Sequence, residues 1–246
     1  MTLAARSGHL AMLLFSMLVA GSFALGVLAA NDIAPMALNA ARFAIAAAII
    51  GTVIVLRGGF PAGSFAAPWR YLVLAVIFAT YFVLMFEGLK TAPSVSAAAV
   101  FTLTPILSAG FGWVMLRQRL TGRMGFALVI GGLGAVWVIF RADVQAILRF
   151  EVGRGELIYF WGCVSHAAYT PLVRKLNRGE SALVFTFGTL VAGAGVLTLV
   201  GWSDIVATDW GNLPAIVWLT ILYTAIFASA ATFTLLQFAA LRLPSS

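Results

Sequence analysis

The chain has 246 residues, 62% of them hydrophobic and only 9% charged, with a formal net charge of +7 and a mean hydropathy of +1.04. A soluble domain carries roughly 25% charged residues, so this composition cannot furnish a water-facing surface, and the chain reads as an all-α membrane protein that crosses the bilayer several times. The positive balance then belongs to basic loops at a membrane face and implies no nucleic acid; the single cysteine, Cys163, allows neither an intrachain disulfide nor a metal cluster.

A hydrocarbon core about 30 Å thick asks for about 20 apolar residues per helix. That ruler predicts eight spans, at about 9–30, 35–56, 69–89, 95–116, 123–141, 156–174, 181–201 and 213–241. The first could be a cleaved signal peptide, given Arg6 and the small residues near Ala29 and Ala30. Its run from Leu10 to Ala30 is long enough to span and more spans follow, so it is read as a retained helix. The second span, opened by Asn31, Asp32 and Pro35, contains Asn39 and Arg42. An arginine at mid-bilayer costs about 2.5–3.5 kcal/mol on insertion scales. Arg42 therefore either faces a wet cavity, where it would attract a group such as a carboxylate, or snorkels about 10 Å to the nearer interface.

The third span, after Gly58-Gly59-Phe60-Pro61, holds Tyr81, and the fourth, after Ala92-Pro93, holds Thr102, Thr104 and Pro105. Pro105 removes a backbone donor and clashes with the preceding turn, which predicts a kink. In the fifth span Ala127, Gly131 and Ala135 fall at i, i+4 and i+8, a stripe suited to close helix packing. The connection 142–155 carries Val144, Ile147 and Leu148 at helical spacing, as a short surface helix would. Cys163, Ser165, His166, Tyr169 and Thr170 lie in the sixth span and Tyr223 in the eighth. His166 either exchanges protons during a cycle or stays neutral on a backbone or hydroxyl partner. Asn39, Tyr81, Thr102, Thr104, Tyr169 and Tyr223 either line a substrate path or bond neighbouring helices. Cys163 is read as packing.

Counting Lys and Arg between spans gives ten on the side of the N-terminus against four (Lys90, Arg141, Arg149 and Arg154) on the other. This predicts a cytoplasmic N-terminus. Trp69, Trp202 and Trp210 stand where interfacial anchors are expected. The stretch Thr80 to Ser94 (TYFVLMFEGLKTAPS) recurs as Thr232 to Ser246 (TFTLLQFAALRLPSS), with Lys90 opposite Arg242. The offset matches the third span to the eighth, so one unit is five helices long. Five is odd, and the second copy must cross in the opposite sense, as in many transporters.

The segment Ser94 to Phe140 (SVSAAAVFTLTPILSAGFGWVMLRQRLTGRMGFALVIGGLGAVWVIF) resembles the EamA domain of the drug/metabolite transporter superfamily: a small-residue helix reaching a Thr-Pro, a basic turn, then a glycine-rich helix. Leu38 to Phe43 matches the arginine-bearing helix of that family, and residues 156–174 and 213–246 resemble the opening of a second unit. Where the family usually has an acid after its fourth helix, this chain has Gln118. The resemblance implies ten helices in an inverted five-plus-five repeat, of which this chain would supply eight, as a fragment or truncated form. The units would be 1–141 and an incomplete 156–246, joined by 142–155.

No catalytic reading survives. Ser165 and His166 are helix neighbours that point in different directions, and there is no nucleotide-binding glycine loop, paired intramembrane carboxylates or metal-ligand spacing. The expectation is a secondary transporter in the bacterial inner membrane. The resemblance implies that it moves small metabolites, amino acids or drug-like compounds outward, without a cofactor. Arg42, Asn39, Tyr81, Thr104, His166, Tyr169 and Tyr223 would mark the substrate pathway. Protons are a candidate coupling ion, and a homo-oligomer is compatible. The competing expectation is a membrane scaffold or accessory subunit that transports nothing.

Overall fold

A computed structural model describes residues 3–118 and 121–232. These form α1 (Leu3–Ala29), α2 (Pro35–Leu56), α3 (Trp69–Leu89), α4 (Ser94–Phe101), α5 (Thr104–Leu116), α6 (Gly122–Ile139), α7 (Val144–Arg149), α8 (Arg154–Leu176), α9 (Ala182–Val200), α10 (Trp202–Ala207) and α11 (Ala215–Ala225), which runs on into a π-helical segment (Ile226–Ala231). Of the second copy of the repeat only Thr232 lies among the described residues; Arg119, Arg242 and the far end of the eighth expected span lie outside them.

Local chemistry sets the helix ends. Pro35 opens α2, where its missing N–H would be unpartnered in any case. At the other end Gly58 and Gly59 take positive φ, and their N–H groups bond Val55 O at 3.2 Å and Ile54 O at 3.0 Å. That pair of bonds is the Schellman closure, which needs a residue without a Cβ. Thr121, Asp143 and Ser181 cap α6, α7 and α9 through their side chains. The fourth expected span divides into α4 and α5 at Thr102-Leu103, and Pro105 occupies the first turn of α5. The connection 142–155 contains α7, the short helix its spacing predicts. The helix α10 has no counterpart among the expected elements; it is a single-turn continuation after Gly201 with Asp204 in its first turn.

Among the described residues five helical stretches are long and apolar enough to cross a membrane: Pro35–Leu56, Trp69–Leu89, Ser94–Leu116, Gly122–Ile139 and Ala182–Val200; Ser16–Ala29, within α1, and Ala215–Ser229 are shorter apolar stretches. The helix α8 has the length but carries Glu156, His166, Arg174 and Lys175. It packs against α3 and α5, while Leu157 and Trp161 face outward. In turn α3 also meets α9, α2 packs on α9 and α11, and α1 packs on α11 and α4. Phe43, Phe82, Met85, Tyr159 and Leu190 belong to the main core among these helices. By contrast α6 turns Phe126, Leu133 and Trp137 outward, as a lipid-facing helix does.

Candidate functional site

Arg42 leaves α2 toward the middle of the bundle and is 1% exposed. Its guanidinium carbon lies over the Phe82 ring, 3.7 Å from the centroid. Nη2 donates to Ser229 Oγ at 3.3 Å, while Nε, also buried, has no partner. Ser229 reaches this position because it stands in the π-helical segment, where its own hydroxyl donates to Thr224 O five residues back at 2.9 Å. Single π turns inside helices are frequent at functional sites.

Around the arginine, α3 and α8 supply an aromatic wall. Phe78 stacks on Tyr169 with centroids 4.7 Å apart and meets Phe82 edge-on at 4.8 Å. Tyr81 lies 4.6 Å from the His166 ring, and its hydroxyl shares a 3.0 Å hydrogen bond with Tyr159. His166 Nδ1 is buried without a partner, while the neighbouring Ser165 donates to Ile77 O at 2.8 Å. Phe78, Tyr81, Phe82, His166 and Tyr169, together with Thr186 and Thr189 of α9, line a largely apolar cavity of about 430 Å³.

The cavity runs from Arg42 toward the end of the bundle that holds Arg70, where Glu180 forms part of its lining. Arg70, 2% exposed, donates through Nη2 to Glu180 Oε1 at 2.5 Å and through Nη1 to Leu176 O at 2.7 Å. The Arg178 N–H donates to the other carboxylate oxygen of Glu180 at 2.7 Å. The bond from Arg70 is the main reason the Glu180 carboxyl is held down to about 2. At the opposite end, near Lys90, α3 and α8 touch at the backbone. A Cβ on Gly88 would stand 2.6 Å from Gly155 O, and one on Gly155 would stand 2.6 Å from Ala92 N. Ser96 of α4 donates to the buried Glu156 of α8 at 2.8 Å, which ties a third helix into the same seal.

Of the residues expected on a substrate path, Arg42, Tyr81, His166 and Tyr169 line this cavity; Asn39, Thr104 and Tyr223 are not among the described lining residues. Asn39 bonds back to Pro35 O at 2.8 Å within its own helix. Thr104 is buried at the start of α5. The Tyr223 hydroxyl donates to Leu18 O at 3.0 Å, and Gly21 of α1 stands against its ring. Thr102 bonds Ala99 O. In the small-residue stripe of α6 Ala135 is buried, whereas Ala127 and Gly131 are exposed. Phe78, Phe82, Ser229 and the Arg70–Glu180 pair were not picked out from the sequence. Glu180, the lone acid in a short basic turn, is the one signal that could have found the pair. Among the described residues no group of three His, Cys, Asp or Glu could hold a metal ion.

The EamA-like transporter family model matches residues 6–140 and 153–246. The chain belongs to this family. It is accordingly a multi-pass integral membrane protein with a transporter function, acting on a small-molecule substrate within a lipid bilayer. Among its relatives is "Uncharacterized transporter YyaM" of Bacillus subtilis (strain 168), 27% identical over 223 residues, which are 90% of this chain and 73% of the relative. A protein of known crystal structure, 22% identical, aligns with a TM-score of 0.65 over 97% of this chain and 79% of its own, a likeness of fold.

Proposed function

We propose that this EamA-family chain is a secondary transporter of the bacterial inner membrane that carries small organic solutes outward through the cavity at Arg42. The observation that carries this reading is a mid-bundle chamber holding a buried arginine whose Nε has no hydrogen-bond partner. Buried donors are ordinarily hydrogen-bonded, so the empty Nε suits a solute acceptor. With the N-terminus inside, the chamber is open toward the cytoplasm as far as the Arg70–Glu180 pair, and the Gly88–Gly155 contact is the outer seal. The packing pairs support an inverted repeat. If α8, α9 and α11 repeat α1, α2 and α3, a two-fold axis exchanges the α3–α8 contact with α11–α1, exchanges α3–α9 with α11–α2, and leaves α2–α9 in place. Eight spans follow, with α1, α8 and α11 among them. His166, with its free Nδ1, is the group through which protons would enter the cycle.

The test is flux from proteoliposomes loaded with a panel of labelled amino acids and small organic acids, with and without an imposed pH gradient. Saturable, nucleotide-independent flux is expected. It should fall to background in Thr186→Trp, which fills the chamber from a half-buried wall position. Flux indistinguishable from that of empty liposomes across the whole panel would mean a scaffold and not a carrier.

A further inference from the structure

All eight Asp and Glu side chains of the sequence lie among the described residues, so the partners open to Arg42 can be counted. Glu180 is taken by Arg70, Glu87 by Lys90 at 2.6 Å, and Glu151 by Arg149 at 3.8 Å. Asp143 caps α7, and Glu156 is held by Ser96. Asp32, Asp204 and Asp209 line a separate polar crevice beside Lys90. None of the eight forms an ion pair with Arg42. A buried cation without an anion is costly, and proteins that keep one complete the pair in some other way.

The geometry says what completes it. Nε and Nη2 lie along one edge of the planar guanidinium, the edge that accepts a carboxylate through two parallel bonds. Here Nε is empty and Nη2 is loosely engaged by a serine hydroxyl at 3.3 Å. Phe82 beneath the plane fixes the orientation of that edge. The rest of the wall is mostly apolar, interrupted by neutral hydroxyl, amide and imidazole groups such as Thr170, Asn177, Thr186, Thr189 and His166, and its one acid, Glu180, is already committed to Arg70. An ammonium group would lose its water there without gaining a carboxylate.

We propose that the solute is an organic monoanion with a compact apolar body, bound by its carboxylate on the Nε–Nη2 edge of Arg42 after displacing the Ser229 hydroxyl, with its body against Phe78, Phe82 and Tyr169. This rests on the transporter reading and narrows it: zwitterions and amines are discriminated against. Ser229 is then a place-holder that satisfies part of the arginine while the site is empty.

Binding of three labelled probes of matched shape to the purified chain decides the matter: 3-phenylpropionate, L-phenylalanine (the same skeleton with an added ammonium) and 3-phenylpropylamine. The acid should bind at least about tenfold more tightly than the other two, each tenfold corresponding to about 1.4 kcal/mol. Arg42→Gln should weaken the acid by about thirtyfold or more and should not weaken the amine, which loses a repelling charge. Ser229→Ala, which removes only the competing hydroxyl, should leave acid binding unchanged or tighten it a few-fold. Equal binding of L-phenylalanine and the acid, loss of acid binding in Ser229→Ala, or no binding of any probe would overturn the proposal. Flux of the amine without the acid would sink the substrate class and leave transport standing. Tight binding of the acid with no flux of any solute would do the reverse.

Discussion

Arg42 and Arg70 are 1% and 2% exposed, yet the chain equips them in opposite ways. Arg70 is saturated by one carboxylate and two backbone carbonyls, those of Leu176 and Ala67, and serves to pin α3 to the α8–α9 turn. Glu180→Gln keeps the shape and removes the charge. Because Arg70 retains its carbonyl acceptors, the loss should be about 1–3 kcal/mol, read as a lower thermal midpoint in detergent. The pH dependence has a definite sign. The Glu180 carboxyl is lowered from 4.5 to about 2, so its contribution is complete above about pH 4.5 and is lost as the pH falls toward 2. The gap between wild type and Glu180→Gln should therefore be constant from pH 8 to pH 5 and shrink below pH 4. A gap that changed between pH 8 and pH 6 would mean another group controls the turn. Tyr223 gives the control case. Tyr223→Phe removes one hydrogen bond to Leu18 O and should cost about 1 kcal/mol without altering solute binding in an equilibrium binding assay.

Helices are where the sequence was most legible, and the reason is turn chemistry. Pro35, Gly58-Gly59, Pro93, Pro105 and the capping residues each act within a few positions, so their effect can be read without knowing any neighbour. Arg42 was legible for a similar reason, since a charge deep in an apolar run stands out against its own helix. Its companions were not. Phe78 and Phe82 look like any lipid-facing phenylalanine until α8 and α9 are placed beside them. Ser229 reaches Arg42 through a local π turn that no propensity announces. Tyr223 showed the converse, a polar group whose hydrogen bond is made away from the chamber, and Thr104 is buried outside the chamber's described lining. The α3–α8 seal is equally invisible in the sequence, because a glycine is informative only when its opposite number is known. It does carry a sharp prediction. Gly155→Ala sets a methyl against the backbone of Gly88 and Ala92, atoms that cannot rotate away. Overpacking of this kind costs about 1–3 kcal/mol, and here the helices must part at the Lys90 end. Solute flux should change together with the thermal midpoint; an unchanged midpoint would show that the seal is loose.

Across the whole molecule, the proposed architecture turns on the direction in which the two five-helix units cross the membrane. The turn 57–68 follows the second helix of the first unit, and the segment 201–214 follows the second helix of the other. In a parallel repeat these connections would share a face. In an inverted repeat they lie on opposite faces, and the excess of Lys and Arg assigns 57–68 to the cytoplasm. The two readings separate in one labelling experiment, because Cys163, the only cysteine, is buried. In a Cys163→Ala background, Ala62→Cys and Asp209→Cys each place a thiol on an exposed position. A membrane-impermeant maleimide added to intact cells should modify Asp209→Cys and spare Ala62→Cys until the membrane is opened. Modification of both from outside, or of neither, would put the two connections on one face. The exchange between outward-open and inward-open arrangements would then have to be explained without a symmetry relating the halves.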